Sequence, residues 1–551
     1  MSEQDYWSPA RTRWCLAAVL LIAAAARIHG LAFGLPALYD PDEPLFVLNA
    51  VKLVHDRTLN PGWFGHPGTT TLYALAVVDM IVFGVGLLTG AWVDGASFGR
   101  AIYGNAALIW LPNRGFILLC GLLCVWLTYR VGRRLFGPGT GLIAALLLAL
   151  DPLHVKYSQI IRTDVQATVF ILLSVLAAID IVRRGARSSY VIAGIWLGLA
   201  VATKWPSGLA VITIAGGCLT RIADHPDERR VQFGRLVLAG IVGLAALIAA
   251  SPFLVLDYPA VIRDLTAEGR PYHLGATGHG FARNAGWYLT TCLWPALGPI
   301  GLVLAIGGMV IAARHNRFFA VALVPFIGVY FVVISSQALI WDRWSVPLLP
   351  FLSLAAGVAA VAAFRAIRRR AGGIAPLAAG AAAVLVAAPL VATTVARANE
   401  RVHDTRRAST AWIRAHVPPG RRVLAEYLAL DLLNRGWKMQ FPVGDGGCVD
   451  VDANVNAHID YAKIDRWRGK RPIIDLGTMN PATLPACLAD YAVLVDYDRY
   501  LAEEDRFRYV QEIDNYRRLI ASGSVVATIA PEAGVRGGPV VRIVRLAGAP
   551  R

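Results

Sequence analysis

Three carboxylates, Asp40, Asp42 and Glu43, follow the first apolar stretch of the chain in the segment LYDPDEPLF. Acidic side chains at the edge of a hydrocarbon layer are costly, and they usually pair with a cation or carry out a function. Two adjacent carboxylates near a bilayer can raise the pKa of one of them, which would suit a general base. The competing interpretation is a helix cap and turn, because Asp and Pro are both favoured there.

Cations and aromatic residues occur in other polar segments that border apolar stretches. Arg162 and Asp164 lie in IIRTD, Lys204 lies in TKWPSG, and Trp341 and Arg343 lie in IWDRWSVP. Each has a plainer interpretation: an interfacial ion pair for the first two, a lysine reaching the lipid headgroups, and an interfacial anchor for the last two. Their common position beside apolar segments is nevertheless typical of a functional site.

The composition places these residues in a membrane protein. Of 551 residues, 56% are hydrophobic and only 16% are charged, whereas soluble domains are nearer a quarter charged. The net charge of +16 comes mostly from arginines in short loops beside apolar runs, which indicates membrane topology and argues against a nucleic-acid partner. The segment 14–34 is too long for a signal peptide and is predicted to be the first span.

Apolar segments predict eleven spans, and arginine clusters orient them. The predicted spans are 14–34, 113–131, 140–155, 165–182, 189–203, 206–220, 233–251, 296–313, 318–335, 345–364 and 375–395. Arginines follow every even-numbered span, so the positive-inside rule places the N-terminus in the cytoplasm. Residues 69–90 are also apolar, but a further crossing would break this order. We therefore predict that they lie along the membrane or re-enter it.

This topology divides the chain into a membrane domain, residues 1–396, and an extracytoplasmic domain, residues 397–551. The first external loop is predicted at residues 35–112. In the second domain, strand-like segments such as YAVLVDY alternate with helix-like ones, which predicts a small α/β domain. Cys448 and Cys487 both belong to it, and oxidation outside the cytoplasm would allow them to form a disulfide.

Six short motifs occur in the order found in a known family. They are the Asp42–Glu43 pair, HPGTTTLYAL, YRVGRRLFG, RTD, TKWP and RWSVPLLP, with Gly68 and Trp344 replacing the family's usual Pro and Tyr. Each motif alone is weak, but six in one order are specific. Over residues 10–400 the chain resembles the GT-C membrane glycosyltransferases, in particular the branch of protein O-mannosyltransferases and bacterial aminoarabinose (lipid A) transferases. The resemblance implies a mainly α polytopic fold of about 11–13 transmembrane helices with a C-terminal extracytoplasmic α/β domain.

The resemblance also implies a reaction. Such enzymes move a sugar from a polyprenyl-phosphate carrier to an acceptor hydroxyl with inversion, which needs a base for the acceptor and cations for the leaving phosphate. Asp42 would be the base, with Glu43 orienting a cation or the acceptor. Asp164 would hold Arg162 or the acceptor. The donor phosphate would bind three cations, Arg343, Lys204 and Arg162.

Further residues of the same loops are expected to bind substrate: His66, Tyr157, Trp341, His273 and His279. A divalent metal, Mg²⁺ or Mn²⁺, is neither required nor excluded by the sequence, and His273 and His279, six residues apart in a Gly-rich loop, are weak evidence for a metal site. The expected partners are a polyprenyl-phosphate sugar, an acceptor glycan, lipid or protein, and the bilayer of the cytoplasmic membrane. Two other functions fit the sequence: a transporter or flippase of a lipid-linked or anionic substrate, and a catalytically silent assembly subunit.

Overall fold

The structure, a computed structural model, describes residues 7–371, 375–426, 430–433, 435–450, 474–483, 487 and 489–547. It forms two compact units. The first contains residues 1–31, 42–91 and 109–395, and the second contains 32–41, 92–108 and 396–551. The sequence predicts a division after residue 396. The longest segment of the second unit begins at residue 396, and residues 35–41 and 92–108 of the predicted first external loop also belong to this unit.

Helices make up the first unit. They are α1 (Pro9–Ile28), α2 (Glu43–His55), α3 (Thr69–Thr89), α4 (Gly95–Gly104), α5 (Ala107–Phe136), α6 (Pro138–Leu150), α7 (Pro152–Tyr157), α8 (Thr163–Arg184), α9 (Arg187–Thr203), α10 (Val211–Asp224), α11 (Arg229–Ala250), α12 (Phe253–Leu256), α13 (Tyr258–Glu268), α14 (Phe281–Trp287), α15 (Trp294–His315), α16 (Val324–Ser335), α17 (Leu349–Ala371) and α18 (Ala375–Val402). Short 3₁₀ or π segments precede α10, α11, α15, α16 and α17. Helix α4 lies entirely in the second unit, and so do the first two residues of α5 and the end of α18.

Within the described residues, nine helices are long and apolar enough to cross a membrane, and three shorter helices are also apolar. Eleven of these twelve correspond to the predicted spans. The chain is therefore a multi-pass membrane protein. The twelfth is α3, whose 21 residues have the length and composition of a span although the sequence predicts that it does not cross.

The positions of the arginines bear on α3. Arg13 near the start of α1 and Arg130 near the end of α5 line the same cavity, so these two helix ends lie on one face of the bundle. Helix α1 leads away from this face and α5 returns to it. A single additional crossing between them would place the two arginines on opposite faces. The shared cavity is therefore consistent with the prediction that residues 69–90 start and end on the same side.

Small residues allow the helices of this unit to pack closely. A Cβ atom built on Gly198 of α9 would lie 2.3 Å from the carbonyl oxygen of Gly243 in α11, and one on Gly308 of α15 would lie 1.8 Å from that of Ala355 in α17. Backbones in such contact exclude any larger side chain. This is how membrane helices associate where water supplies no hydrophobic driving force between them.

The second unit contains a mixed six-stranded sheet. Its strands are β1 (Arg422–Ala425), β2 (Lys438–Pro442), β3 (Cys448–Asp450), β4 (Tyr491–Leu494), β5 (Gly523–Ile529) and β6 (Val541–Leu546), in the order β3-β2-β1-β4-β6-β5. Strand β1 is parallel to β2 and β4, and the other pairs are antiparallel. Helices α19 (Thr405–His416), α20 (Tyr497–Ala502) and α21 (Val510–Ala521) accompany the sheet. The predicted α/β domain is thus present.

One apolar core supports this sheet. Val423, Met439, Val493 and Ile543 from four strands pack with Ile413 of α19. A disulfide joins Cys448, the first residue of β3, to Cys487, across 39 positions of sequence. It links the edge strand to the segment that leads into β4.

Candidate active site

Asp42 and Arg162 form an ion pair in the first unit. Asp42 is the residue before α2, and Arg162 is the residue before α8, so two helix starts meet here. The Arg162 guanidinium donates to Oδ2 of Asp42, and 39% of the Asp42 side chain is exposed. The carboxylate is therefore both held by a cation and accessible to a substrate.

Glu43 lies next to Asp42 in sequence but faces the protein interior. Arg114 of α5 donates to both of its oxygens, from Nε at 2.8 Å and from Nη2 at 2.6 Å. Oε1 also accepts the backbone N–H of Ile161 at 3.0 Å. Neither the Glu43 nor the Arg114 side chain is exposed. Glu43 therefore ties α2 and α5 to Ile161, the residue that precedes Arg162.

Two of the sequence motifs pair directly with each other. The backbone of His66-Pro67-Gly68 runs antiparallel to Thr203-Lys204-Trp205: the Trp205 N–H donates to the carbonyl of His66 at 2.8 Å, and the Gly68 N–H donates to that of Thr203 at 3.2 Å. Thr70 and Thr203 are also joined through their hydroxyls at 2.6 Å. The end of α9 and the start of α3 are thereby fixed together.

This pairing explains why Gly68 replaces the family's proline. Gly68 is the residue before α3 and has a φ of +72°, in the left-handed region. Proline is confined to a φ near −65°, so it cannot adopt this backbone. A glycine adopts it without steric cost.

Lys204 forms an ion pair with Asp164, and both side chains are almost completely buried. The sequence predicted one of two partners for the Asp164 carboxylate, Arg162 or the acceptor. The structure instead pairs Asp164 with Lys204 and gives Arg162 to Asp42. The two pairs lie side by side, since Asp164 and Arg162 flank the first residue of α8.

Arg343 lies beside this pair of ion pairs. Its guanidinium carbon is 4.2 Å from the centre of the Trp341 ring, and its charge acts on Asp42, His66 and Lys204. Its side chain is buried, and its Nε has no hydrogen-bond partner in the part of the chain that the structure describes. A buried guanidinium N–H that lacks a partner favours an anionic ligand at this position.

Asp342, the residue before Arg343, helps to position it. Its carboxylate accepts the Arg343 N–H at 2.9 Å, Lys156 Nζ at 2.6 Å and the Tyr157 hydroxyl. Lys156 and Tyr157 belong to α7, which begins with Asp151 as its cap and Pro152 in its first turn. Tyr157 is thus buried and bound to Asp342, which places it beside the cluster as a supporting residue.

The two loop histidines occupy different surroundings. Residues 276–278 pair with 338–340, and this brings His273 against Trp341 at a ring-centroid distance of 5.1 Å. The His279 N–H donates to Asn284, whose amide binds carbonyls at the end of α16. The structure therefore brings His273 to the cluster, whereas the backbone N–H of His279 is bound by Asn284.

The cations set the protonation of the site. Burial alone would raise the pKa of Asp42, but Arg162 and Arg343 lower it below its ordinary value. Of the two adjacent acids, Asp42 is therefore not the one whose pKa is raised. Burial together with Lys204 and Arg343 lowers the pKa of His66 to about 3, so its imidazole is neutral at physiological pH.

Sequence reasoning missed Arg114, Lys156 and Asp342. All three are ionisable residues in or beside apolar segments, which is the signal that identified their neighbours. The three carboxylates of this cluster, Asp42, Asp164 and Asp342, are each paired with a cation. Among the described residues, no three His, Cys, Asp or Glu side chains are grouped so that they could hold a metal ion.

Comparisons with known proteins bear on the fold. A family model described as dolichyl-phosphate-mannose-protein mannosyltransferase matches residues 102–256. ArnT from Cupriavidus metallidurans in the apo state aligns with a TM-score of 0.53 and 15% identity, over 96% of this chain and 97% of that one. The chain has the GT-C fold.

Two further structures have this GT-C fold. ArnT from the same organism bound to undecaprenyl phosphate aligns with a TM-score of 0.52 and 15% identity, over 97% and 99% of the two chains. The Archaeoglobus fulgidus oligosaccharyltransferase tethered with an acceptor peptide aligns with a TM-score of 0.50 and 13% identity, over 96% of this chain and 74% of that one. Among curated proteins, none matches the sequence. This chain therefore shares its fold with ArnT and with the archaeal oligosaccharyltransferase.

Proposed function

We propose that this GT-C protein transfers a sugar from a polyprenyl-phosphate donor to a hydroxyl acceptor, with inversion, on the outer face of the cytoplasmic membrane. Asp42 is the general base. The single observation that carries the proposal is a partly exposed carboxylate, Asp42, among the three cations Arg162, Arg343 and Lys204. ArnT, of the same fold, has been seen bound to undecaprenyl phosphate, which supports a lipid phosphate as the anion.

The charges of the cluster suit this reaction. The acceptor oxygen attacks the anomeric carbon and its proton passes to Asp42, while the bond from that carbon to the phosphate oxygen breaks. The donor is a phosphodiester with one negative charge, and the departing polyprenyl phosphate carries a second. Arg343 and Arg162 bind this developing charge, and Lys204, paired with Asp164, adds to the positive field. No general acid is needed, because phosphate leaves readily.

Binding of the donor would also strengthen the base. Arg162 holds Asp42 in its ionised form and lowers its pKa, which alone makes the carboxylate a poor proton acceptor. A phosphate that shares Arg162 weakens this ion pair and returns the pKa of Asp42 towards its ordinary value. Asp42 would therefore become a competent base only with the donor bound, when the acceptor can be used.

Glu43 is a positioning residue in this proposal. It fixes Ile161, and through it Arg162, by the buried contacts described above. His66, neutral and beside Lys204, supplies a hydrogen-bonding group without adding charge. Trp341 and His273 form an aromatic wall next to Arg343, and a sugar ring or the acceptor can pack against it. The C-terminal unit is proposed to be extracytoplasmic.

The experiment is transfer from a panel of short-chain polyprenyl-phosphate sugars by the purified protein and by Asp42→Asn. Asp56→Asn is a matched control, because Asp56 follows the same helix α2 and 41% of its side chain is exposed, close to the value for Asp42. We expect Asp42→Asn to lower turnover by about 10²-fold or more, in keeping with the loss of a positioned base. Asp56→Asn should retain turnover, and both variants should bind donor.

Two outcomes would contradict the proposal. Binding of polyprenyl phosphate without turnover or hydrolysis of any donor, equal in all three proteins, would favour a transporter or an assembly subunit. Equal turnover by the wild type and Asp42→Asn would retain the transferase activity but remove Asp42 from the role of base.

A further inference from the structure

A basic cavity lies at the opposite end of the helices from the candidate active site. It has a volume of about 690 Å³, within the range of small-molecule sites. Arg162 precedes α8 and Arg183 lies at its other end, so the 22 residues of this helix separate the two regions by about 33 Å. The cavity is therefore independent of the cluster around Asp42.

Among the residues that the structure describes, five arginines and no carboxylate line this cavity. They come from the start of α1, the end of α5 and the end of α8: Arg13, Arg130, Arg133, Arg134 and Arg183. Arg134 is neutralised by Asp180 at 3.0 Å, which lies outside the lining. In the part of the chain that the structure describes, Arg13, Arg130 and Arg133 make no ion pair with a carboxylate. Three positive charges thus converge without an acidic partner.

Aromatic residues give the cavity an apolar wall. The guanidinium carbon of Arg130 lies 4.8 Å from the centre of the Trp126 ring. Trp7 packs over α6, where a Cβ atom built on Gly139 would lie 3.0 Å from its Nε1. Both tryptophans line the cavity. Tryptophan and arginine together, at the end of membrane helices, suit a molecule that has a charged phosphate and an apolar body.

We propose that this cavity binds the headgroup of an anionic phospholipid of the bilayer. The phosphate would contact Arg13, Arg130 and Arg133, and the acyl chains would extend along the apolar surfaces of the surrounding helices. Basic cavities between transmembrane helices bind such headgroups, and each arginine near the membrane surface contributes to the attraction. The proposal concerns a site of lipid binding and does not depend on the proposed transfer reaction.

Charge attraction by arginines at a helix end is common, so the test must separate a site from general surface charge. The full-length protein is reconstituted in nanodiscs of phosphatidylcholine with increasing phosphatidylglycerol, and lipid that remains bound after transfer to detergent is measured by native mass spectrometry. The variant Arg13→Gln/Arg130→Gln/Arg133→Gln is compared with Arg368→Gln/Arg369→Gln/Arg370→Gln. The control removes the same charge from the exposed end of α17, outside the cavity.

We expect the wild type and the α17 control to retain one phosphatidylglycerol preferentially, and the cavity variant to bind it on the order of 100-fold more weakly. The unfolding temperature in phosphatidylcholine alone reports whether the cavity variant is folded. If the cavity variant does not fold, the single variant Arg133→Gln, at an exposed position, replaces it, and its affinity for phosphatidylglycerol should be about fivefold lower. Equal loss in the cavity and control variants would overturn the proposal, as would retention of phosphatidylglycerol by the cavity variant. If glycerol phosphate raised the unfolding temperature as much as phosphatidylglycerol does, the cavity would be assigned to a soluble phosphate compound instead.

Discussion

Glu43→Gln tests whether Glu43 positions the site or takes part in the chemistry. The substitution removes one charge from a pair in which neither side chain is exposed, and Arg114 is left buried without its counter-charge. Breaking a buried ion pair in this way costs about 3–5 kcal/mol of unfolding free energy. The Ile161 N–H also loses a charged acceptor, although the Gln carbonyl can still accept one hydrogen bond.

The comparison with Asp42→Asn makes this prediction specific. Asp42 is partly exposed, so its ion pair contributes at most about 1 kcal/mol to stability. Unfolding in mixed micelles, followed by tryptophan fluorescence, should therefore show a large loss for Glu43→Gln and almost none for Asp42→Asn. In Glu43→Gln/Arg114→Met the two effects should be less than additive by about 2 kcal/mol, since the second change removes the orphaned charge.

Turnover should be lost in Asp42→Asn with stability retained, and lowered in Glu43→Gln together with stability. The reasoning would be refuted if Glu43→Gln cost less than about 1 kcal/mol while abolishing transfer. That result would place Glu43 among the groups that contact substrate.

Three further outcomes follow from the structure. Gly68→Ala should destabilise the protein by about 1–2 kcal/mol in thermal unfolding because of its positive φ, and Gly68→Pro should not fold. Burial and neighbouring carboxylates raise the pKa of Glu426 and Asp475, so the folded C-terminal unit binds protons that the unfolded chain releases. The stability of this unit should therefore fall as the pH rises above about 4.5, and hydrogen exchange of β1 and β4 in the full-length protein measures it. The substitution Glu426→Gln should flatten this pH dependence. Reduction of the Cys448–Cys487 disulfide should cost the C-terminal unit about 4 kcal/mol by the loop-entropy relation, measured as protease resistance with and without reductant.

The sequence predicted the helices well because membrane spans leave a strong signal. An apolar run of the right length must satisfy its backbone hydrogen bonds internally, and in a single apolar segment only a helix does so. Residues 69–90 show the limit of this signal. Length and composition cannot distinguish a crossing helix from one that lies on one side, and only the common cavity of Arg13 and Arg130 bears on that distinction.

The pairing of charges could not be predicted. The sequence offered Asp164 as a partner of Arg162, two residues away, whereas the structure pairs Asp164 with Lys204 and Arg162 with Asp42. These contacts join segments separated by 40 and 120 positions, and they depend on how helix ends meet in space. Composition also gave no indication that Glu43 points away from Asp42, because the direction of each side chain at a helix start is set by packing against α5.

The division of work between Asp42 and Glu43 has an evolutionary consequence. The residue that holds the scaffold and the residue proposed to accept the proton are adjacent in the chain, yet their side chains contact different partners. A single substitution at Asp42 would therefore silence transfer and leave the folded scaffold in the membrane, where it remains available for another task. A substitution at Glu43 would instead weaken the folded scaffold itself. Among descendants of such a chain, the second acid should accordingly persist in lineages that have abandoned the first.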